Sequence, residues 1–273
     1  MGGRSMAAKV DLYDNAYGNY QQDVYRQVRI ETYGEDLGQT SWVTTKESND
    51  IPKLLELTAD SQVLEIGCGS GRYALRLAET IGCRITGLDL NSRGIRNANQ
   101  LASQAGLTSI AKFEECDVSG PLPFQSGYVD AVFSNDVLCH IPARAEVLGE
   151  IYRVLKPGGN LLYSDALVVG GLLSHEEIAT RSSIGYYFFS PPGENERLLK
   201  DAGFRVVNVT DTSEEAAGIA KRWRAAREKS KEGLVAAEGL ANFEGLQRFL
   251  ACVHTLTSEK RLLRFVYLAR KQA

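Results

Sequence analysis

Val63-Leu64-Glu65-Ile66-Gly67-Cys68-Gly69-Ser70-Gly71-Arg72 is the stretch that decides the fold. An apolar run closes on an acid, glycines then alternate with small residues, and a helical pattern starts at once. This order reads as a buried strand, a tight turn and a helix start. Glycine tolerates positive φ and lets backbone come close to a ligand. The N–H groups at a helix start favour a polar or anionic ligand group. One glycine loop is a weak signal, so its meaning depends on its surroundings.

Downstream, short apolar runs alternate with helical periodicity. Strands are expected at 62–66, 84–89, 111–116, 129–134 and 160–165, with helices at 71–81, 92–105 and 143–155. Alternation of this kind builds a doubly wound parallel α/β sheet, and ligands of such sheets sit beyond the carboxyl ends of the strands. Glu65, Gly67 to Gly71, Asp89, Asp117 and Ser134 to Asp136 all fall at those ends. Pro157-Gly158-Gly159 reads as the turn into the strand at 160. The segment 166–195, with its aromatic run Tyr186-Tyr187-Phe188-Phe189, reads as a cover over the site. A helix at 194–202 stops on Gly203, a strand follows at 204–210, helices occupy 213–258, and a last strand spans 262–269. The helices of 213–258 therefore form an insertion before the last strand.

Upstream, residues 11–50 carry Tyr13, Tyr17, Tyr20, Tyr25, Tyr33 and Trp42. Val24, Val28 and nearby aromatics at helical spacing predict one or two helices over 14–34, either as a lid or as packing for the core. Asn49-Asp50-Ile51-Pro52 reads as a helix cap, with Pro52 in the first turn of a helix through Leu57. Met1 to Ser5, ahead of a second Met6, looks like a cloning remnant. The division read from the sequence is 1–10 as that remnant and a disordered start, 11–50 as a helical lid, and 51–273 as the main domain.

Composition narrows the function. The 273 residues are 44% hydrophobic and 24% charged, with net charge −3, as in an ordinary globular protein. The isoelectric point is near 5.8, so no basic field favours nucleic acid or a membrane surface. A small-molecule partner is expected. Five scattered cysteines without a C-x-x-C pair and three histidines give no zinc-type spacing, so no metal is expected. The cysteine pattern fits a reducing, cytoplasmic setting. No apolar run is long enough to span a bilayer, and no leader sequence is expected. Cys68 reads as a small loop residue, since nothing near it in sequence would activate a thiol.

Asp89 stands eighteen residues beyond Gly71, at the end of the second strand. An acid there binds ribose hydroxyls, a feature that suits NAD and S-adenosylmethionine alike. The dinucleotide fingerprint needs glycine where Arg72 stands, and this weakens a nicotinamide reading.

The stretches V-L-E-I-G-C-G-S-G (63–71), I-T-G-L-D-L (85–90), F-E-E-C-D-V (113–118), Y-V-D-A-V-F-S-N-D (128–136) and R-V-L-K-P-G-G-N-L (153–161) resemble, in order and spacing, the class I S-adenosylmethionine-dependent methyltransferases. The resemblance implies a seven-stranded Rossmann-like sheet with an antiparallel last strand. It also implies that Asp89 holds the ribose, Leu90 flanks the adenine, Asp117 accepts from the adenine amino group and Val118 packs beside it. Glu65, Gly67, Cys68, Gly69, Gly71 and Asn135 would cradle the rest of the cofactor.

Methyl transfer from a sulfonium is an in-line displacement, so the enzyme mainly positions an acceptor with a free lone pair. An amine with pKa of ~10.4 costs roughly 4–5 kcal/mol to present neutral at pH 7, and a base in the pocket helps. Asp136 and His140, four residues apart in N-D-V-L-C-H-I, share a face if that stretch is helical. Asp136 would then bind a cationic substrate or orient the imidazole, and His140 is a base suited to neutral pH. The plainer reading has His140 packing its turn. The N/D-P-P-aromatic signature of nucleic-acid amino methylation is missing at 135–138.

The chain further resembles the phosphoethanolamine and sarcosine/dimethylglycine N-methyltransferases, through Tyr33-Gly34-Glu35-Asp36, Gly38-Gln39-Thr40-Ser41 and the S-x-D-x-x-x-H of 134–140. In the phosphobase enzymes an N-terminal tyrosine pairs with that histidine, and Tyr17 or Tyr20 stands where it would come from. Arg181, Tyr186 or Tyr187, and a base such as Arg261 or Lys260 are where the resemblance loosely places the family's phosphate ligands, but Ala166 stands in place of its tyrosine after the fifth strand. The expected function is methyl transfer to the nitrogen of a small amine or amino-acid-like compound. The alternatives are an oxygen or carbon acceptor, or a non-catalytic cofactor-binding protein.

Overall fold

The computed structural model describes residues 9–272. Residues 1–8, which hold the presumed cloning remnant and most of the expected disordered start, lie outside the described range. Val10, assigned to that start, is instead buried and donates its N–H to the Ser183 carbonyl at 2.8 Å.

Three helices come first: α1 (Tyr13–Gly18), α2 (Asp23–Tyr33) and α3 (Thr45–Leu54). The alternating part runs β1 (Gln62–Ile66), α4 (Arg72–Ile81), β2 (Arg84–Asp89), α5 (Ser92–Gln104), β3 (Ala111–Glu115), β4 (Val129–Asn135), α6 (Arg144–Val154) and β5 (Leu155–Val169). Then come α7 (His175–Arg181), α8 (Glu194–Asp201), β6 (Phe204–Asp211), α9 (Ser213–Lys229), α10 (Lys231–Glu238), α11 (Leu240–Ser258) and β7 (Leu262–Lys271).

The strands make a single seven-stranded sheet in the order β3-β2-β1-β4-β5-β7-β6. Pairing is parallel from β3 through β5, and β7 runs antiparallel to both β5 and β6. This is the doubly wound sheet that the sequence predicts, with the reversed last strand. Strand order turns around between β1 and β4, where Ile66 pairs with Ser134. A ligand crevice opens at such a switch point.

Both sheet faces are covered, which explains why the strands read as nearly continuous apolar runs. Val63, Phe133 and Leu162 pack under α3, α4 and α5, while Leu64, Ile66 and Val132 pack under α6 and α8. A third core lies away from the sheet, where Tyr25, Val28 and Trp42 meet Trp223 of α9 and Phe249 of α11. The N-terminal helices are thus fastened to the 213–258 helices.

Two elements differ most from expectation. The helix expected to start at Asn49 starts at Thr45, and Pro52 lies near its far end. The Thr44 hydroxyl accepts from the Glu47 N–H, and the Glu47 carboxylate accepts from the Thr44 N–H. This reciprocal cap outweighs the proline signal. The fifth strand is longer than expected at both ends: Leu155 pairs with Val129, the ladder shifts around the Pro157-Gly158-Gly159 turn, and pairing resumes at Asn160.

Candidate active site

The crevice at the switch point holds a cavity of about 350 Å³, walled by β1, β2 and β4 on one side and by α1 on the other. Gly67, Gly69 and Gly71 all have positive φ, at 73°, 52° and 71°. At Gly69 this matters twice, because a Cβ there would also lie 2.5 Å from the Tyr17 hydroxyl. Four N–H groups of the loop are engaged within the protein. Gly67 and Cys68 donate to the Leu88 carbonyl, Gly71 donates to Cys68, and Gly69 donates to the Asp89 carboxylate at 2.8 Å.

Asp89 ends β2 with one oxygen on the Gly69 N–H and the other on the Asn91 N–H at 2.8 Å. Burial pushes its carboxyl up, and these backbone donors oppose the shift. Leu90 and Asp117 stand exposed at the rim with Val118 buried between loops, all three lining the cavity. The Asp117 carboxylate accepts from the Ser119 N–H, which holds it below its ordinary pKa. Cys68 is buried and its thiol is pushed well up, in keeping with a small packing residue.

The inner end of the crevice carries two unmet polar groups. Glu65 Oε2 and Asn135 Nδ2 are buried without a hydrogen-bond partner among the described residues, and both line the space beside Gly67 and Gly69. Buried polar atoms are normally paired, so these await a ligand group. The Glu65 carboxyl and the Asn135 amide at this end, with the Asp89 carboxylate at the end of β2, fit the amino-acid and ribose parts of S-adenosylmethionine.

The acceptor side departs from the sequence reading. Asp136 does not share a helical face with His140. Asp136 sits at φ 58°, in left-handed backbone, and the turn that follows is a single 3-10 turn, Leu138–His140. Its carboxylate accepts from Arg264 Nε at 2.9 Å and from the Trp42 N–H at 2.8 Å. Asp136 therefore neither orients the imidazole nor stands free for a cation; it ties the lid segment to β7.

His140 is oriented by other groups. Its Nδ1 lies 2.7 Å from the Tyr186 carbonyl oxygen and its Nε2 lies 2.9 Å from the Tyr13 hydroxyl. A carbonyl only accepts, so the proton is on Nδ1 and the lone pair is on Nε2. Burial holds the imidazole neutral, pulled down to about 4. The Tyr13 O–H then donates to Nε2 and turns its own lone pairs toward the cavity.

The partner tyrosine is thus Tyr13, in place of Tyr17 or Tyr20. Tyr17 is one helical turn further along α1, stacked on Tyr13, with its hydroxyl 3.3 Å from Thr40 Oγ1 and pressed to the glycine loop. Tyr20 falls past the end of α1 and lies under Arg29, beside Gly38 and outside the cavity. The spacing Tyr13-x-x-x-Tyr17 marks the face that looks inward. The ligands expected in the cover segment also lie elsewhere. Arg181 is buried with its guanidinium 3.7 Å over the Tyr187 ring, behind His140, and Tyr186 contributes only its carbonyl.

Comparison with known proteins gives the family. A family model described as "Methyltransferase domain" matches residues 64–163. The chain belongs to the S-adenosylmethionine-dependent methyltransferases, and its cofactor is S-adenosylmethionine. It is 28% identical over 243 residues to a 27-O-demethylrifamycin SV methyltransferase from Amycolatopsis mediterranei, covering 86% of each chain. It is 30% identical over 185 residues to the O-methyltransferase resE of Aspergillus sclerotiorum, covering 65% of this chain and 67% of that protein. Among solved structures, phosphoethanolamine N-methyltransferase 2 of Haemonchus contortus superposes with a TM-score of 0.80 at 22% identity, over 96% of this chain and 60% of that one. The protein is an enzyme that methylates a small molecule.

Proposed function

We propose that the enzyme methylates the nitrogen of a small amine or amino-acid-like compound, with Tyr13 and His140 as the pair that faces the acceptor. The observation that carries this reading is the Tyr13 hydroxyl held 2.9 Å from a neutral His140 Nε2 at the cavity wall. Bound S-adenosylmethionine supplies an electrophilic methyl group. With the cofactor bound, Tyr13 would accept an N–H of the acceptor and orient its lone pair; as the N–C bond replaces the S–C bond and the thioether product leaves, the acceptor's proton would pass to the Tyr13 oxygen while the Tyr13 O–H proton passes to Nε2. Desolvation favours a neutral amine over an ammonium ion, and Asp136, which lines the cavity with His140, is already matched by Arg264.

A second reading is transfer to oxygen. It is favoured by the names of two relatives, the 27-O-demethylrifamycin SV methyltransferase and the O-methyltransferase resE. Labelled cofactor offered to a panel of amino acids, small amines, phenols and alcohols, with the methylated atom located by mass spectrometry, separates the two. Label on nitrogen is the expected result, and label confined to hydroxyl groups overturns the nitrogen reading.

A further inference from the structure

Behind the turn that carries His140 lies a carboxyl group with no assigned role. Asp165, on β5, is fully buried. Its Oδ1 accepts the Cys139 N–H at 3.0 Å, and its Oδ2 is buried without a partner among the described residues. Cys139 immediately precedes His140, and its carbonyl accepts the Phe188 N–H at 2.9 Å. The turn is therefore held from both sides, by a cover-segment amide above and by one carboxyl oxygen below. The cover segment also supplies the Tyr186 carbonyl that orients the imidazole. A shift of this peptide would move the imidazole relative to Tyr13.

We propose that Asp165 is the positioning residue for His140, acting through the Cys139 amide to hold the turn that aims the imidazole at Tyr13. The proposal rests on the reading of Tyr13 and His140 as the acceptor-facing pair. A hydrogen bond from an amide to a carboxylate is about twice as strong as one to a neutral carboxylic acid. Protonation of Asp165 therefore loosens the turn, and a protonated Oδ2 would also need an acceptor of its own.

The surroundings place that protonation within reach of neutral pH. Burial raises the Asp165 carboxyl to about 7, with Arg144 of α6 opposing the shift and Asp136 adding to it. The other titratable groups facing it are the Cys139 thiol on the turn, Tyr163 on its own strand, Tyr187 in the cover segment and Tyr267 on β7. Burial pushes all four upward, so they stay protonated near neutrality. His140, near 4, stays neutral over the same range. A transition at neutral pH sensed by His140 then belongs to Asp165.

The test is an imidazole Cε1–Hε1 NMR titration of the full chain between about pH 6 and about pH 8. The chain has three histidines, His140, His175 and His254, so single His→Gln variants assign the signals. The expected result is a His140 inflection near pH 7 without the full shift of ring protonation. Asp165→Asn, which keeps an acceptor for the Cys139 N–H, abolishes it, and Arg144→Gln moves it to higher pH. A His140 signal that is flat in the wild type overturns the proposal and requires no variant to fold. An inflection that survives Asp165→Asn overturns it equally. Turnover gives a second readout: Asp165→Ala loses about ten- to a hundredfold in kcat with cofactor affinity unchanged, and Asp165→Asn recovers part of the loss. Equal loss in both variants counts against positioning. The NMR arm does not depend on turnover, so failure of the Tyr13–His140 reading, seen as full activity in Tyr13→Phe, is distinguishable from failure of this one.

Discussion

Tyr13 and His140 are separated by 127 positions in sequence and by 2.9 Å in space. His140 was legible from its place after the fourth strand. Its partner was not, because choosing among Tyr13, Tyr17 and Tyr20 requires knowing where α1 ends, and a six-residue helix leaves little periodicity to read. Asp136 misled for a related reason. The i, i+4 argument assumes helical backbone, and Asp136 is in left-handed backbone ahead of a 3-10 turn. Two predictions belong at this scale. Tyr13→Phe is expected to lower kcat by about a hundredfold or more, whereas Tyr20→Phe leaves it nearly unchanged; steady-state kinetics on both variants check this. His140 is depressed from 6.5 to about 4 in the fold, so the unfolded chain takes up its proton first as pH falls. Its contribution to stability is present above about 6.5 and is lost as pH falls through about 4. Urea midpoints measured across this window are expected to fall less in His140→Gln than in the wild type.

At the scale of elements, the strands and the helices between them were readable, because a sheet covered on both faces writes its strands as apolar runs and its helices as amphipathic periods. The start of α3 was readable too, in Thr44-x-x-Glu47, but Pro52 drew attention away from it. The contacts of Arg264 were not readable at all. Arg264 is fully buried in β7 and donates to Asp136 of the β4 end, Glu47 of α3 and Thr212 before α9. It joins strand, lid and insertion in one ion-pair node. Removing it would leave two carboxylates without their counter-charge, so Arg264→Met is expected to cost about 3–5 kcal/mol in chemical denaturation. Thr44→Ala, which removes only the cap, is expected to cost about 1 kcal/mol.

Across the whole molecule, the lid is built as part of a second core. Trp42 lies 5.9 Å from Trp223 and 6.3 Å from Phe249, ring centre to ring centre, and Tyr33 packs on the same tryptophan. Asp14 at the start of α1 also accepts from Asn91 at the end of the cofactor strand, at 2.7 Å. The helical insertion therefore fixes where Tyr13 and Tyr17 stand over the crevice. Trp223→Ala is expected to cost about 3–5 kcal/mol and to speed cofactor release, measurable by stopped-flow fluorescence. Such long-range fastening leaves no local sequence signal, which is why residues 11–50 read equally well as lid or as packing. The structure packs Tyr25, Val28, Tyr33 and Trp42 into the third core and sets Tyr13 and Tyr17 on the cavity wall.

The account turns on Tyr13 acting on the acceptor across a crevice built for S-adenosylmethionine. Its most direct test is the single-turnover rate of Tyr13→Phe against wild type, at saturating cofactor, with the acceptor identified from the panel. The account predicts a loss of about a hundredfold or more with cofactor affinity unchanged. A rate within about threefold of wild type would contradict it.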